Sequence, residues 1–169
     1  LKTIEFSKDS KLTLIDKSSF SFSSIESITI PTKVNRIEVG AFSHCSNLKS
    51  VSFTEDSELQ SIEKEVFSSS SIDSISIPPR VNCIGRRCFS NCNNLKSVNF
   101  SENSELVSIC KEAFSSSSIE YLTIPSKVNE LQNGWCKGTK NLIKISVSSE
   151  NKNINIKITI SSSEKMMLK

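Results

Sequence analysis

The stretch Ile25-Glu26-Ser27-Ile28-Thr29-Ile30-Pro31 returns 47 residues later as Ile72-Asp73-Ser74-Ile75-Ser76-Ile77-Pro78, and again as Ile119-Glu120-Tyr121-Leu122-Thr123-Ile124-Pro125. A spacing that recurs unchanged marks a repeat architecture, and it governs every other reading of the chain. Phe20, Phe67 and Phe114 keep the same interval, as do Leu12, Leu59 and Leu106, and Leu48, Leu95 and Leu142. Each 47-residue block divides into units of 24 and 23 residues, so that seven units begin at Leu1, Ile25, Leu48, Ile72, Leu95, Ile119 and Leu142.

Every unit opens on the apolar spacing L-x-x-L-x-L, from Leu1/Ile4/Phe6 through Leu48/Val51/Phe53 to Leu142/Ile145/Val147. The last two of these positions alternate with polar residues, the period of a short strand buried on one face. A second apolar pair follows in each of the early units, as in Ile37/Phe42 and Ile62/Phe67, and carries the chain back across the interior. One rung cannot bury its apolar side alone, but stacked rungs share a continuous core. The pattern therefore predicts a β-rich solenoid of the leucine-rich-repeat type. Its parallel sheet has about seven short strands, with turns or brief 3₁₀ segments on the return side.

Composition alone would point elsewhere. Roughly a fifth of the residues are serine, and apolar residues make up only 36%, a balance that ordinarily suggests disorder; the strict phase of the apolar positions overrides it. The net charge of +3 is small and dispersed, which gives no reason to invoke nucleic acid. No apolar run is long enough for this segment to insert in a bilayer. The chain opens on Leu1 without an initiator Met or a signal-like run, so a fragment or mature product is expected, with the array continuing upstream.

Polar positions share the register. The second residue of successive units reads Lys2, Glu26, Lys49, Asp73, Lys96 and Glu120, an alternation that sets opposite charges on neighbouring rungs, each pair contributing about 0.2–1 kcal/mol. The residue before each strand is Ser24, Asn47, Ser71, Asn94, Ser118 or Asn141, expected to bond backbone groups of the turns. The outward strand positions are small and hydroxyl-rich. Thr29, Ser52, Ser74, Ser76, Ser97, Asn99, Tyr121 and Thr123 are the candidate partner-binding residues, on a face able to accept protein by hydrogen bonding.

Residues for catalysis are scarce. The one histidine, His44, falls in a return turn beside Cys45, and no nucleophile–base–acid constellation or phosphate loop can be built around it. Glu55, Asp56 and Glu58, with Glu102 and Glu105, read as solvated edge loops near Lys33, Arg80 and Lys127 rather than as a cation site. Cys83, Cys88, Cys92 and Cys110 lack zinc-site spacing, so no metal and no cofactor is expected. Cys45 and Cys92 lie two rungs apart, too far for a disulfide. Cys83 and Cys110 fall on adjacent rungs and within pairing reach, although the six cysteines as a set read as mostly free. The sequon Asn99-Phe100-Ser101 falls within a strand and reads as incidental.

With these residues placed, the sequence resembles the BspA-like leucine-rich repeats of surface proteins from oral bacteria and parasitic protozoa. The resemblance is carried by Ile25 to Pro31 followed by Val34, Ile37, Ala41-Phe42, Cys45 and Asn47, and by Ile72 to Pro78 followed by Val81, Ile84, Cys88-Phe89, Cys92 and Asn94. It covers 1–151, the expected array, and its matched residues are core and turn positions. It implies a non-catalytic protein-binding module, at the cell surface or secreted, that engages a host or matrix protein. The alternative is an intracellular scaffold docking onto a cytoskeletal or other assembly.

Three departures from the pattern stand out. Units with odd ordinal numbers replace the proline by an insert such as Thr54-Glu55-Asp56-Ser57-Glu58. In the sixth unit Cys136 holds the Phe position and Trp135 the small-residue position, so either the rung shifts to let Trp135 fill the core or Trp135 is exposed. Beyond 151, Ile154, Ile156, Ile158 and Ile160 alternate and predict a C-terminal capping strand or hairpin over 152–169.

Overall fold

The computed structural model describes residues 2–7 and 9–147, and the expected cap over 152–169 lies outside them. Among the described residues the chain forms thirteen strands and no helix. Seven make one parallel sheet, Thr3–Ile4 (β1), Ser27–Ile30 (β3), Ser50–Phe53 (β5), Ser74–Ile77 (β7), Ser97–Phe100 (β9), Tyr121–Ile124 (β11) and Lys144–Val147 (β13), ordered as they occur in the chain. Between them run six strands of two residues each, Leu14–Ile15 (β2), Arg36–Ile37 (β4), Ser61–Ile62 (β6), Cys83–Ile84 (β8), Ser108–Ile109 (β10) and Glu130–Leu131 (β12), which form a second parallel sheet. The chain is the expected parallel solenoid. The second sheet is an addition to the expected return segments of turns, and no 3₁₀ turn occurs among the described residues.

The alternation read from the sequence sets the first sheet. Ile28 and Ile30, Ile75 and Ile77, and Leu122 and Ile124 point inward and are buried, whereas Thr29, Ser76 and Thr123 between them are exposed. In the short strands one residue of each pair faces in, and Ile15, Ile37, Ile62, Ile84 and Ile109 line the opposite wall of the same core. Phe20, Phe42, Phe67, Phe89 and Phe114 close the third side as a column of stacked rings, with centroids 5.1, 5.6, 5.4 and 5.4 Å apart.

The arc carrying each Phe has a backbone of its own kind. Two residues four apart take left-handed φ in each of the first six rungs: Ser18 and Phe22, Gly40 and His44, Glu65 and Ser69, Arg87 and Asn91, Glu112 and Ser116, Gly134 and Gly138. L-residues resist this conformation by roughly 1–2 kcal/mol each, so the hydrogen bonds it permits must offset that cost. Alternate amides close a turn within their own rung, as in Ser21 N–H to the Ser18 carbonyl at 3.0 Å. The others donate to the next rung, as in Phe20 N–H to Ala41 O at 2.8 Å, Phe67 N–H to Cys88 O at 2.9 Å and Asn91 N–H to Ser115 O at 2.9 Å. The arcs thus form a third ladder, and their buried backbone groups are paired.

The sixth rung keeps this register. Phe114 N–H donates to Trp135 O at 2.7 Å, in series with Phe89 N–H to Ala113 O at 2.8 Å. Trp135 therefore occupies the small-residue position without any slip of the backbone. It nevertheless fills the core, 5% exposed, with its ring edge-on to Phe114 at 6.2 Å.

Two polar expectations are revised. The residues before the strands do not build an internal ladder: Asn47, Asn94 and Asn141 are exposed, and only Ser71 reaches back, its Oγ donating to Ser46 O at 2.6 Å. The internal ladder sits instead just after the second left-handed residue of each arc, in the series Ser23, Cys45, Ser70, Cys92, Ser117 and Thr139. There Cys45 Sγ donates to Phe20 O at 2.9 Å, Cys92 Sγ to Phe67 O at 3.0 Å and Ser117 Oγ to Phe114 O at 2.8 Å. The charge column is aligned by backbone bonds such as Lys96 N–H to Asp73 O at 2.9 Å. Of its side chains only Lys2 and Glu26 close an ion pair among the described residues, at 3.1 Å.

Candidate functional site

The first sheet brings all eight candidate residues onto its outer face in two columns. Pairing of Ser74 with Ser97 and of Ser97 with Tyr121 makes one column, and pairing of Thr29 with Ser52 and of Ser76 with Asn99 makes the other, which Thr123 continues. All are exposed except the half-buried Ser97. Not every hydroxyl is available: Thr29 and Ser52 bond each other at 2.9 Å. Tyr121, 53% exposed, is the one aromatic on the face. Short side chains around it leave its ring open to contact.

The face is not a flat sheet. β3 and β5 pair over all four residues, as do β7 with β9 and β11 with β13. Between β5 and β7 the register stops at Ser50 and Ser74, and between β9 and β11 it stops at Leu122 and Val98. The insert after the strand of each odd-numbered unit, β1, β5 and β9, explains the difference. Five residues lie between Phe53 and the buried Leu59, whereas three lie between Ile77 and the buried Val81. The longer exit leads β5 away from β7. The gap is a cleft of about 380 Å³ walled by Ser50, Ser52, Thr54, Ser74, Ser76 and Pro79. Its walls include three of the eight candidates, and its mouth is rich in hydroxyls.

A second groove, about 600 Å³, runs across the arcs and was not foreseen from the sequence. Its floor is a line of serines, Ser43, Ser68, Ser90 and Ser115, and its rim carries Glu65, Arg87 and Glu112. Arg87 bonds Glu112 Oε2 at 2.5 Å and stands 3.9 Å from Glu65. The hydrogen bond from Arg87 holds the Glu112 carboxyl below its ordinary range. The signal for this groove was present only as the left-handed residues projecting from each arc, and Ser, Glu and Arg at those positions give no turn cue in the sequence.

His44 sits on the arc, exposed, with its ring stacked on Phe22 at 4.6 Å. Its neighbour Cys45 points the opposite way, into the core, where burial pushes the thiol up. The two cannot act as a Cys–His pair. Lys33 bonds Glu58 at the edge loop, both partly exposed, as expected for solvated surface pairing. Among the described residues no three His, Cys, Asp or Glu side chains are grouped to hold a metal ion, and no helix is long and apolar enough to cross a membrane. Buried Cys45, Cys88 and Cys92 hold the turn and small-residue slots assigned to them.

Three ladders, one core and an unobstructed sheet face define a leucine-rich-repeat solenoid, a class that generally serves protein interaction without catalysis. The profile of the BspA type leucine rich repeat region matches residues 1–78 and 60–164, in six copies; the chain belongs to this family. Among solved structures it is similar to the pneumococcal vaccine antigen PcpA, with TM-score 0.80 and 30% identity over 83% of this chain and 37% of that one. It shares its fold with a leucine-rich cell surface protein of Faecalibacterium prausnitzii, with TM-score 0.57 and 21% identity over 88% of this chain and 47% of that one. A leucine-rich repeat protein of T. pallidum has TM-score 0.55 at 16% identity. The chain thus spans less than half the length of the first two. No curated protein sequence gave a match.

Proposed function

We propose that this chain is the protein-binding part of a cell-surface protein, and that it holds a host or matrix protein on the outer face of its seven-stranded sheet. The observation that carries the proposal is the face itself: two columns of exposed short polar side chains, opened by a cleft between β5 and β7 and bearing Tyr121 over the second splay. An exposed aromatic amid small hydroxyls gives a partner one anchor and many hydrogen-bonding points at little conformational cost. The likeness to a vaccine antigen and to a cell surface protein supports a surface location.

Two measurements test it. Antibody against this segment should stain intact cells of the source organism; staining only after permeabilisation would overturn the surface assignment and favour a scaffold inside the cell. Binding to immobilised extracellular-matrix proteins should drop at least tenfold when Tyr121→Ala is combined with Ser76→Arg. Both positions are exposed, so the fold tolerates the changes. Unaltered binding by that double variant would move the site off the sheet face.

A further inference from the structure

Each of the first six rungs sets two residues, at i and i+2, on the outer side of the second sheet. In the second rung they are Arg36 and Glu38, an ion pair at 2.6 Å, and in the sixth Glu130 and Gln132, hydrogen bonded at 3.2 Å. In the fourth rung they are Cys83 and Gly85, and the bare glycine lets the backbone of Glu63 in the third rung pack closely against it. Cys110 holds the i+2 place of the fifth rung, and its Sγ lies 3.5 Å from that of Cys83. Both backbones are fixed: Cys83 pairs with Ser108, Ile84 with Ile109, and Cys110 N–H donates to Ile84 O at 3.0 Å. Both thiols are half-buried and open to small molecules, unlike the buried thiols of Cys45, Cys88 and Cys92.

We infer that Cys83 and Cys110 form a dithiol modification site, which a low-molecular-weight disulfide oxidises to a disulfide bond joining the fourth and fifth rungs. The sulfurs must close by about 1.5 Å to reach bonding distance, a movement within side-chain rotation. Cys110 keeps its proton, because burial first, then the hydrogen bond with Cys83 and the carboxylates of Glu130 and Glu63, push its thiol up to about 12. Either sulfur can open the exchange, and with Cys110 holding its proton against the neighbouring sulfur the first step falls to Cys83. It loses its proton and displaces one thiolate from the small disulfide, forming a mixed disulfide. Cys110 then gives up its proton, attacks the Cys83 sulfur and expels the second thiolate. The dithiol loses two electrons and two protons, and the small disulfide becomes two thiols. The bond clamps two rungs whose only covalent link is otherwise the chain itself.

The folded protein, equilibrated in a buffer of reduced and oxidised glutathione and then alkylated, provides the test. Trypsin separates the three regions concerned, with Cys83 in peptide 81–86, Cys88 and Cys92 in 88–96, and Cys110 in 97–111. Peptides 81–86 and 97–111 should be recovered joined and lighter by two hydrogens, while 88–96 carries two alkyl groups. Cys110→Ser should stop at one glutathione on Cys83, and Cys83→Ser, which removes the hydrogen bond that helps hold the Cys110 proton, should stop at one glutathione on Cys110. The joined form should melt about 5–10 °C above the reduced one. Separate recovery of 81–86 and 97–111 overturns the inference. So does a bond to 88–96 formed as readily as the expected one.

Discussion

Phe67 stands at the middle of the ring column, fully buried, with Phe42 at 5.6 Å and Phe89 at 5.4 Å. Phe20, the first ring, is partly buried and has Phe42 as its one ring neighbour among the described residues. Cutting Phe67 to alanine removes the transfer energy of the ring and opens a cavity between rungs held at a set spacing by three backbone ladders. Such a cavity cannot collapse, so the penalty belongs at the upper end of the usual 3–5 kcal/mol. Each of the two lost ring contacts contributes about 0.5–1.5 kcal/mol of it. Phe20→Ala loses one contact and only part of the burial, about 1–2 kcal/mol. Against a total of about 5–15 kcal/mol for an ordinary domain, the first change is severe and the second mild. Urea unfolding followed through Trp135 measures both. It is the single tryptophan, 5% exposed, and its emission should move to the red as its rung opens. The midpoint for Phe67→Ala should fall at least twice as far as that for Phe20→Ala. Equal penalties would refute the column as the spine of the array.

A Cβ at Gly85 would lie 2.5 Å from the carbonyl carbon of Glu63 and 2.8 Å from Ile62 O, so Gly85→Ala must push the third and fourth rungs apart. It should cost about 1–3 kcal/mol in thermal melts, and a melt identical to the parent's would contradict the close approach. Burial, as the first cause, pushes Cys92 up to about 11, so the folded chain keeps a proton that the unfolded chain releases near pH 9. Stability contributed this way is intact below that pH and is lost as pH climbs towards 11, by about 2–3 kcal/mol. Cys92→Ala should lack that slope in urea titrations between pH 8 and 11, and parallel curves for parent and variant would exclude it.

The strands of the first sheet, the core isoleucines and the Phe column were legible because each repeats often enough to show its period. The second sheet was hidden: two residues such as Arg36–Ile37 or Cys83–Ile84 are too few to display alternation. The arcs were hidden for another reason. Left-handed backbone is usually announced by glycine or asparagine, and here Ser69, Arg87 and Glu112 adopt it because bonds to the next rung outweigh the local penalty. The expected asparagine ladder failed on the same point. With the arc amides already paired by backbone, Asn47 and Asn94 had nothing inside to satisfy. Neither alternative open for Trp135 in the sequence is met in full: it fills the core, and the rung accommodates it without shifting. The outer columns of the candidate face followed directly from strand period, but the cleft depended on how a loop insert bends a strand, which spacing alone does not convey.

The arc bonds between rungs all run one way. From Ser18 donating to Val39, through His44 to Ser68, to Ser116 donating to Lys137, the amide belongs to the earlier rung and the carbonyl to the later. Their peptide dipoles, each about 3.5 D, therefore add along the stacking axis instead of cancelling as dipoles largely do in sheets. The array carries an electrical polarity along one edge, its positive end towards the C-terminal rungs. Two such arrays meeting end to end along this edge match donor to acceptor only when head follows tail. A contact of that kind does not close on itself, and it would extend the solenoid as a directional filament.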